Sequence, residues 1–73
     1  MARENVVAPL PGKIIEVKVK VGSEVKEDDE LMVLEATKME NPIVAPISGK
    51  VAELSVVVNT MVATGQLLAV IEK

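Results

Sequence analysis

The sequence predicts an all-β domain made of two copies of one unit, and three observations predict it. Val is the commonest residue, 14 of 73 against 6 Leu and 5 Ile, and β-branched side chains suit a pleated surface better than a helix. No window joins a helical apolar period to capping residues. Displaced by 37 positions, the chain aligns with itself without a gap, with 12 identities in the 30 pairs from Val7/Val44 onward. A unit of about four short strands has one apolar face that it cannot bury alone. Two copies facing each other can bury it. The expected architecture is a pseudo-twofold flattened β-barrel, a sandwich of two four-stranded antiparallel sheets in a single domain over residues 1–73.

Each element has its own signal. Val7-Ala8-Pro9-Leu10-Pro11-Gly12-Lys13 lies over Val44-Ala45-Pro46-Ile47-Ser48-Gly49-Lys50. Gly12 and Gly49 read as positions that need φ > 0 or a close backbone approach. Ile15, Val17, Val19 and Val21 alternate with Glu16, Lys18 and Lys20, the pattern of a half-buried strand. Val21-Gly22-Ser23 breaks the run, and Glu24-Val25 suffices for a short bridge. The acidic run Glu27-Asp28-Asp29-Glu30 reads as a solvated turn rather than a cation site. Residues 31–35 make a continuous apolar strand, as expected where both faces are covered. The second copy repeats the plan over 49–58, 61–62 and 67–72. The halves, about 6–36 and 43–73, are joined by the hairpin Ala36-Thr37-Lys38-Met39-Glu40-Asn41-Pro42, which has no counterpart in the repeat.

Composition removes whole classes of chemistry. The chain has no Cys and no His, so thiol nucleophiles, His-based triads and Cys/His zinc sites are excluded. It has no Phe, Tyr or Trp, the side chains on which bases stack. A net charge of −3 argues against nucleic acid as a partner. The longest apolar run, residues 67–71, is far too short for a membrane span. Met1-Ala2-Arg3-Glu4-Asn5 lacks the apolar stretch of a secretion signal. A cytoplasmic domain without membrane insertion is the expectation.

The unpaired hairpin carries the specific motif. Glu35-Ala36-Thr37-Lys38-Met39-Glu40 resembles the Glu-Ala-Met-Lys-Met-Glu signature of biotinyl carrier domains. The Ala-Pro…Gly-Lys segments and Val21-Gly22-Ser23-Glu24-Val25 are similar to the biotinyl/lipoyl superfamily. The resemblance covers residues 6–72, and the internal repeat matches that of the family. It implies that Lys38 is a biotin acceptor at the tip of a tight β-turn, with Glu35, Ala36, Thr37, Met39 and Glu40 read by a biotin protein ligase. One position departs from the signature: Thr37 stands where the family has Met. Lipoyl domains read roughly Thr-Asp-Lys-Ala; Met39 and Ala36 match the biotinyl pattern.

A long flexible lysine on a hairpin tip suits a carrier, because it combines exposure and reach with a base held by the sheet. A lysine amine carries its proton at neutral pH, and no base is in evidence here, so the ligase has to remove it. The resemblance implies a biotin carboxyl carrier domain. Biotin on Lys38 would be carboxylated at a biotin carboxylase using bicarbonate and ATP. It would then be discharged at a carboxyltransferase acting on an acyl-CoA or 2-oxo acid. A lipoyl carrier and an unmodified structural adaptor of the same fold remain as alternatives. An enzyme in its own right is not expected, since no nucleophile–base pair can be assembled. Charge is divided unevenly, with 15 charged residues in 1–40 and 4 in 41–73. Lys18, Lys20, Glu24 and Lys26 have Ser55, Val57, Met61 and Ala63 as repeat mates, which marks the paler half as a candidate docking face.

Overall fold

The alternation expected along residues 15–21 is interrupted by β-bulges. In the computed structural model, which describes residues 2–73, Ile14 pairs with Leu34 and Glu16 with Val33, leaving Ile15 unpaired. One extra residue reverses which side chains face inward. Ile14 therefore becomes the fully buried residue, while Val17 and Val19 lie half-buried against the core. The strand ends at Val17, and Val21, expected inside, is 60% exposed in the following turn. The second copy does the same at Ala52, between Val51 and Glu53, and its strand ends at Leu54 rather than Val58. Bulges at the repeat mates Leu31 and Leu68 explain the continuous apolar runs. There Leu31 and Met32, like Leu68 and Ala69, are consecutive and all buried.

Eight strands result: β1 Arg3–Val7, β2 Gly12–Val17, β3 Glu24–Val25, β4 Glu30–Ala36, β5 Met39–Val44, β6 Gly49–Leu54, β7 Met61–Val62 and β8 Leu67–Glu72. They form two four-stranded sheets, β1-β8-β6-β3 and β5-β4-β2-β7, and every pairing is antiparallel. The repeat relates β1 to β5, β2 to β6, β3 to β7 and β4 to β8, so the pseudo-twofold exchanges the two sheets. Residues 40–42, expected to have no counterpart, are the mates of residues 3–5, because both stretches form the outer strand of a sheet, and the turn 37–38 is the junction between the copies. The copies do not simply face each other as two layers. Each sheet takes two strands from each copy, because the chain crosses between sheets on entering and leaving both β3 and β7.

Matched turns fasten one copy to the other. Gly22 and Asn59 are repeat mates with φ of 95° and 79°, and Asp28 and Gly65 are mates with φ of 74° and 83°. Turns with φ > 0 at the third position favour Gly, Asn or Asp there. The 26–29 turn grips Ala45, whose N–H donates to the Asp29 carbonyl at 2.9 Å. In the mirror arrangement Ala8 donates to the Gln66 carbonyl at 3.0 Å. Buried Ala8 and Ala45 thereby satisfy their backbone groups, which is the structural content of the repeated Ala-Pro. Glycine at 12 and 49 meets the close-approach requirement and not the φ > 0 one. A Cβ at Gly12 would collide with the Glu35 carbonyl oxygen, and one at Gly49 with that of Glu72.

Ile14, Leu31, Met32, Leu34, Val51, Leu68 and Ile71 fill the space between the sheets. No polar or charged side chain is buried among the described residues. Stability therefore rests on apolar burial and the two ladders. The acidic run 27–30 is exposed, as a solvated turn should be. Arg3 pairs with Glu72 where the first and last strands meet. From there β1 runs toward Gly12 and the β4–β5 hairpin, so the hairpin stands at the other end of a body 36 Å long and 18 Å across.

Candidate functional site

The hairpin is built on a continuous ladder. Leu34 pairs with Asn41, Glu35 with Glu40 and Ala36 with Met39, leaving Thr37 and Lys38 as a two-residue turn. Their φ angles are 49° and 65°, both left-handed, as a primed turn of the I′ kind requires. That turn matches the right-handed twist of its strands and projects the two central residues beyond the sheet. The Thr37 hydroxyl donates to the Ala36 carbonyl at 2.7 Å. Asn41 Nδ2 donates to the Met39 carbonyl at 3.4 Å.

Exposure differs among the flanking residues. Ala36 is buried beneath the turn, whereas its partner Met39 is 64% exposed. Glu35 and Glu40 are exposed and directly opposed, a like-charge pairing that sheets disfavour. Cross-strand pairing adds two residues that no local motif announces. Lys13 lies beside Glu35, and Met61 lies beside Lys13. The outer row at the hairpin base is thus Met61, Lys13, Glu35, Glu40. Its symmetry mate at the other end is Glu24, Lys50, Glu72, Arg3, which alternates in sign and is closed by an Arg3–Glu72 salt bridge of 3.3 Å.

Lys38 itself is exposed. Among the described residues it takes no part in a salt bridge, whereas Arg3 and Lys18 do. Lys18 donates to Glu30 at 2.7 Å, and that hydrogen bond chiefly raises its pKa above the ordinary 10.5. Neither surface depression described, one of 580 Å³ lined in part by Glu24, Lys50 and Glu72 and one of 300 Å³ between Val7 and Val44, includes a residue of the turn. An exposed turn of this kind suits a group held by a covalent bond rather than by an enclosing pocket.

Residues 4–71 match a family model described as "Biotin-requiring enzyme", the biotin–lipoyl family. The chain belongs to the biotin–lipoyl family. Pyruvate carboxylase of Staphylococcus aureus is 44% identical over 66 residues, 90% of this chain and 6% of that protein. The biotin carboxyl carrier protein of Streptococcus mutans is 52% identical over 42 residues, 58% of this chain and 32% of that one. Among solved structures, the urea carboxylase of Kluyveromyces lactis superimposes with a TM-score of 0.91 at 30% identity, over 99% of this chain and 6% of that one. The chain therefore spans a small part of each relative, from 6% to 32%. As a member of the biotin–lipoyl family on its biotinyl side, it is a biotin carboxyl carrier domain without catalysis of its own, and its cofactor is covalent biotin. No helix among the described residues is long and apolar enough to cross a membrane.

Proposed function

We propose that Lys38 is the residue that takes biotin and that this domain carries a carboxyl group from a biotin carboxylase to a carboxyltransferase. The observation that supports this reading is the left-handed Thr37-Lys38 turn, placed at the junction of the two copies, between β4 and β5. Lys13 and Lys50 occupy equivalent positions within the repeat, on strands inside the sheets. Lys38 stands beyond them, with its amine free to enter another protein.

Each residue of the hairpin has a task in this reading. Lys38 Nζ loses its proton to the biotin protein ligase and attacks the carbonyl carbon of biotin, whose carboxyl group the ligase has activated with ATP. The amide forms as the bond to the activating phosphate group breaks and that group leaves. When bound, biotin supplies a ureido ring that accepts and releases a carboxyl group. Ala36 and the ladder beneath it hold the base of the arm still, while the lysine side chain supplies reach. Met39, Thr37, Glu35 and Glu40 present the surface that the ligase reads. The setting we propose is the cytoplasm, where ATP and bicarbonate serve the carboxylase. The receiving carboxyltransferase acts on an acyl-CoA or 2-oxo acid.

Co-expression with a biotin ligase, followed by avidin gel shift and intact mass, tests the assignment. The wild-type chain is expected to gain the mass of one biotinyl group and to shift fully. Lys38→Arg should abolish both while leaving the melting temperature unchanged. Biotin persisting in Lys38→Arg would overturn the assignment of Lys38. A wild-type mass corresponding to lipoylation, or to no addition, would overturn the biotinyl reading.

A further inference from the structure

Pseudo-symmetry supplies a comparison within the molecule. At the end away from Lys38, Arg3 lies across from Glu72, and its guanidinium reaches two carboxylates, Glu53 at 3.2 Å and Glu72 at 3.3 Å. Both carboxylates recur at the Lys38 end, where Glu16 is the repeat mate of Glu53 and Glu35 that of Glu72. The pairing agrees as well. Lys13 lies beside Glu35 and Glu16 beside Val33, as Lys50 lies beside Glu72 and Glu53 beside Val70. What differs is the outer strand. The repeat mate of Arg3 is Glu40, which stands opposite Glu35.

One residue thus reverses the charge of an otherwise repeated set. Lys50, Glu53, Glu72 and Arg3 are neutral together, whereas Lys13 and the three carboxylates Glu16, Glu35 and Glu40 carry a net −2. All three carboxylates are exposed, and among the described residues none of them joins a salt bridge. Lys18, two residues beyond Glu16, donates to Glu30 instead. Like charges directly opposed across strands weaken a sheet, and the mate position shows that this backbone accepts an arginine that would remove the conflict. Packing does not call for Glu40. The other copy also shows what the repeated carboxylates bind, which is a guanidinium shared between them.

We propose that Glu40 is a specificity-determining residue for biotinylation: with Glu35 and Glu16 it receives an arginine or lysine of the biotin protein ligase. That cation takes the place Arg3 holds at the other end. The proposal rests on the reading of Lys38 as the biotin acceptor. Glu40 lies two residues past Lys38, about 7 Å along the strand. The ligase is the partner whose reaction takes place at Lys38 Nζ, so its surface has to close on the base of the hairpin. The carboxylase and the carboxyltransferase work at the far end of the acylated arm. Glu40 touches no reacting atom, and its charge acts on encounter and binding, where opposite charges raise the association rate.

Steady-state biotinylation by the ligase of the same organism, at low and high salt, tests this with Glu40→Arg, Glu40→Gln and the mirror variant Arg3→Glu. Glu40→Arg copies the Arg3 clamp onto Glu16 and Glu35, so it should raise the melting temperature by about 2–5 °C. It should lower ligase kcat/KM about tenfold, through KM rather than kcat. Glu40→Gln should fall between, about threefold down. Arg3→Glu should lower the melting temperature and leave the ligase rate within about twofold, since it lies at the other end. Added salt should slow the wild-type reaction and leave Glu40→Arg nearly unaffected, because screening removes an attraction that only the wild type has. A purely structural role would give no such difference. Should Glu40→Arg lose stability, the rate and salt response of Glu40→Gln decide. Unchanged kcat/KM on a chain biotinylated at Lys38, a salt response common to all variants, or an equal fall in Arg3→Glu would each overturn this proposal alone. So would a tenfold rise in KM for the biotin carboxylase with the ligase rate intact, which would assign Glu40 to that enzyme. Biotin that persists in Lys38→Arg, or a wild-type chain that takes none, overturns the acceptor reading and this proposal with it.

Discussion

Thr37 and Lys38 adopt a conformation in succession that L-residues rarely share, with φ of 49° and 65°. The left-handed region crowds Cβ against the backbone and is worst for a β-branched side chain. Thr37 offsets part of that cost with its hydroxyl, which donates to the Ala36 carbonyl at 2.7 Å. Two substitutions separate the opposing effects. Thr37→Val keeps the branch and loses the hydrogen bond, so it should destabilise the domain by about 0.5–1.5 kcal/mol. Thr37→Met removes the branch and places an apolar side chain beside the acceptor. It should stabilise by about 0.5 kcal/mol, because relief of left-handed strain of about 1–3 kcal/mol exceeds the lost bond. It should also raise ligase kcat/KM. Denaturant melts and steady-state biotinylation of the two variants check this. A loss of both stability and kcat/KM in Thr37→Met would show that the hydroxyl, not the branch, decides this turn.

At the scale of elements, the two glycines that open β2 and β6 stand where a neighbouring backbone leaves no room for a Cβ. A side chain at Gly12 would strike the Glu35 carbonyl and crowd Leu34 Cδ1 at 3.0 Å. One at Gly49 would strike the Glu72 carbonyl and crowd the Lys73 Cα at 3.1 Å. Backbone cannot yield as a flexible side chain does, so Gly12→Ala and Gly49→Ala should each cost about 1–3 kcal/mol. Their functional consequences should differ. Glu35 belongs to the strand that leads into the Lys38 turn, so Gly12→Ala displaces the base of the hairpin. It is expected to lower ligase kcat/KM about tenfold at a temperature where both variants are folded, a factor set by about 1.4 kcal/mol. Gly49→Ala should leave that rate unchanged. Equal rates in the two variants would mean that the hairpin is insulated from the strand beneath it.

At the scale of the whole molecule, interleaving makes the two copies interdependent. Within the first copy only β2 and β4 pair with each other, and within the second only β6 and β8. β1 and β3 find partners solely in the second copy, as β5 and β7 do in the first. An isolated two-stranded pair is marginal in water. Fragments 1–37 and 38–73 should therefore be unfolded alone by far-UV circular dichroism. Mixed in equal amounts, they should recover the β spectrum and a dispersed amide NMR spectrum. A folded single fragment would contradict the interleaved topology.

Some of this molecule follows from its residues alone. The offset of 37 positions determined the pseudo-twofold and the strand inventory, because equal side chains at equal spacing place equal demands on burial. It also isolated Lys38, since a segment outside the repeat owes nothing to the shared fold. The turns at Gly22 and Asp28 were legible because φ > 0 selects residue types locally. Other features required the tertiary structure. Nothing in Ile14-Ile15-Glu16 announces a bulge, since two adjacent apolar residues satisfy either inward register until a partner strand sets the pairing. The interleaving of the sheets was equally silent, because apolar periodicity states that a face must be covered and not which strand covers it. The row Met61, Lys13, Glu35, Glu40 is a product of that pairing. It brings together residues distant in sequence, and side chains far apart along the chain acquire a common surface only when the ladder that joins them has formed.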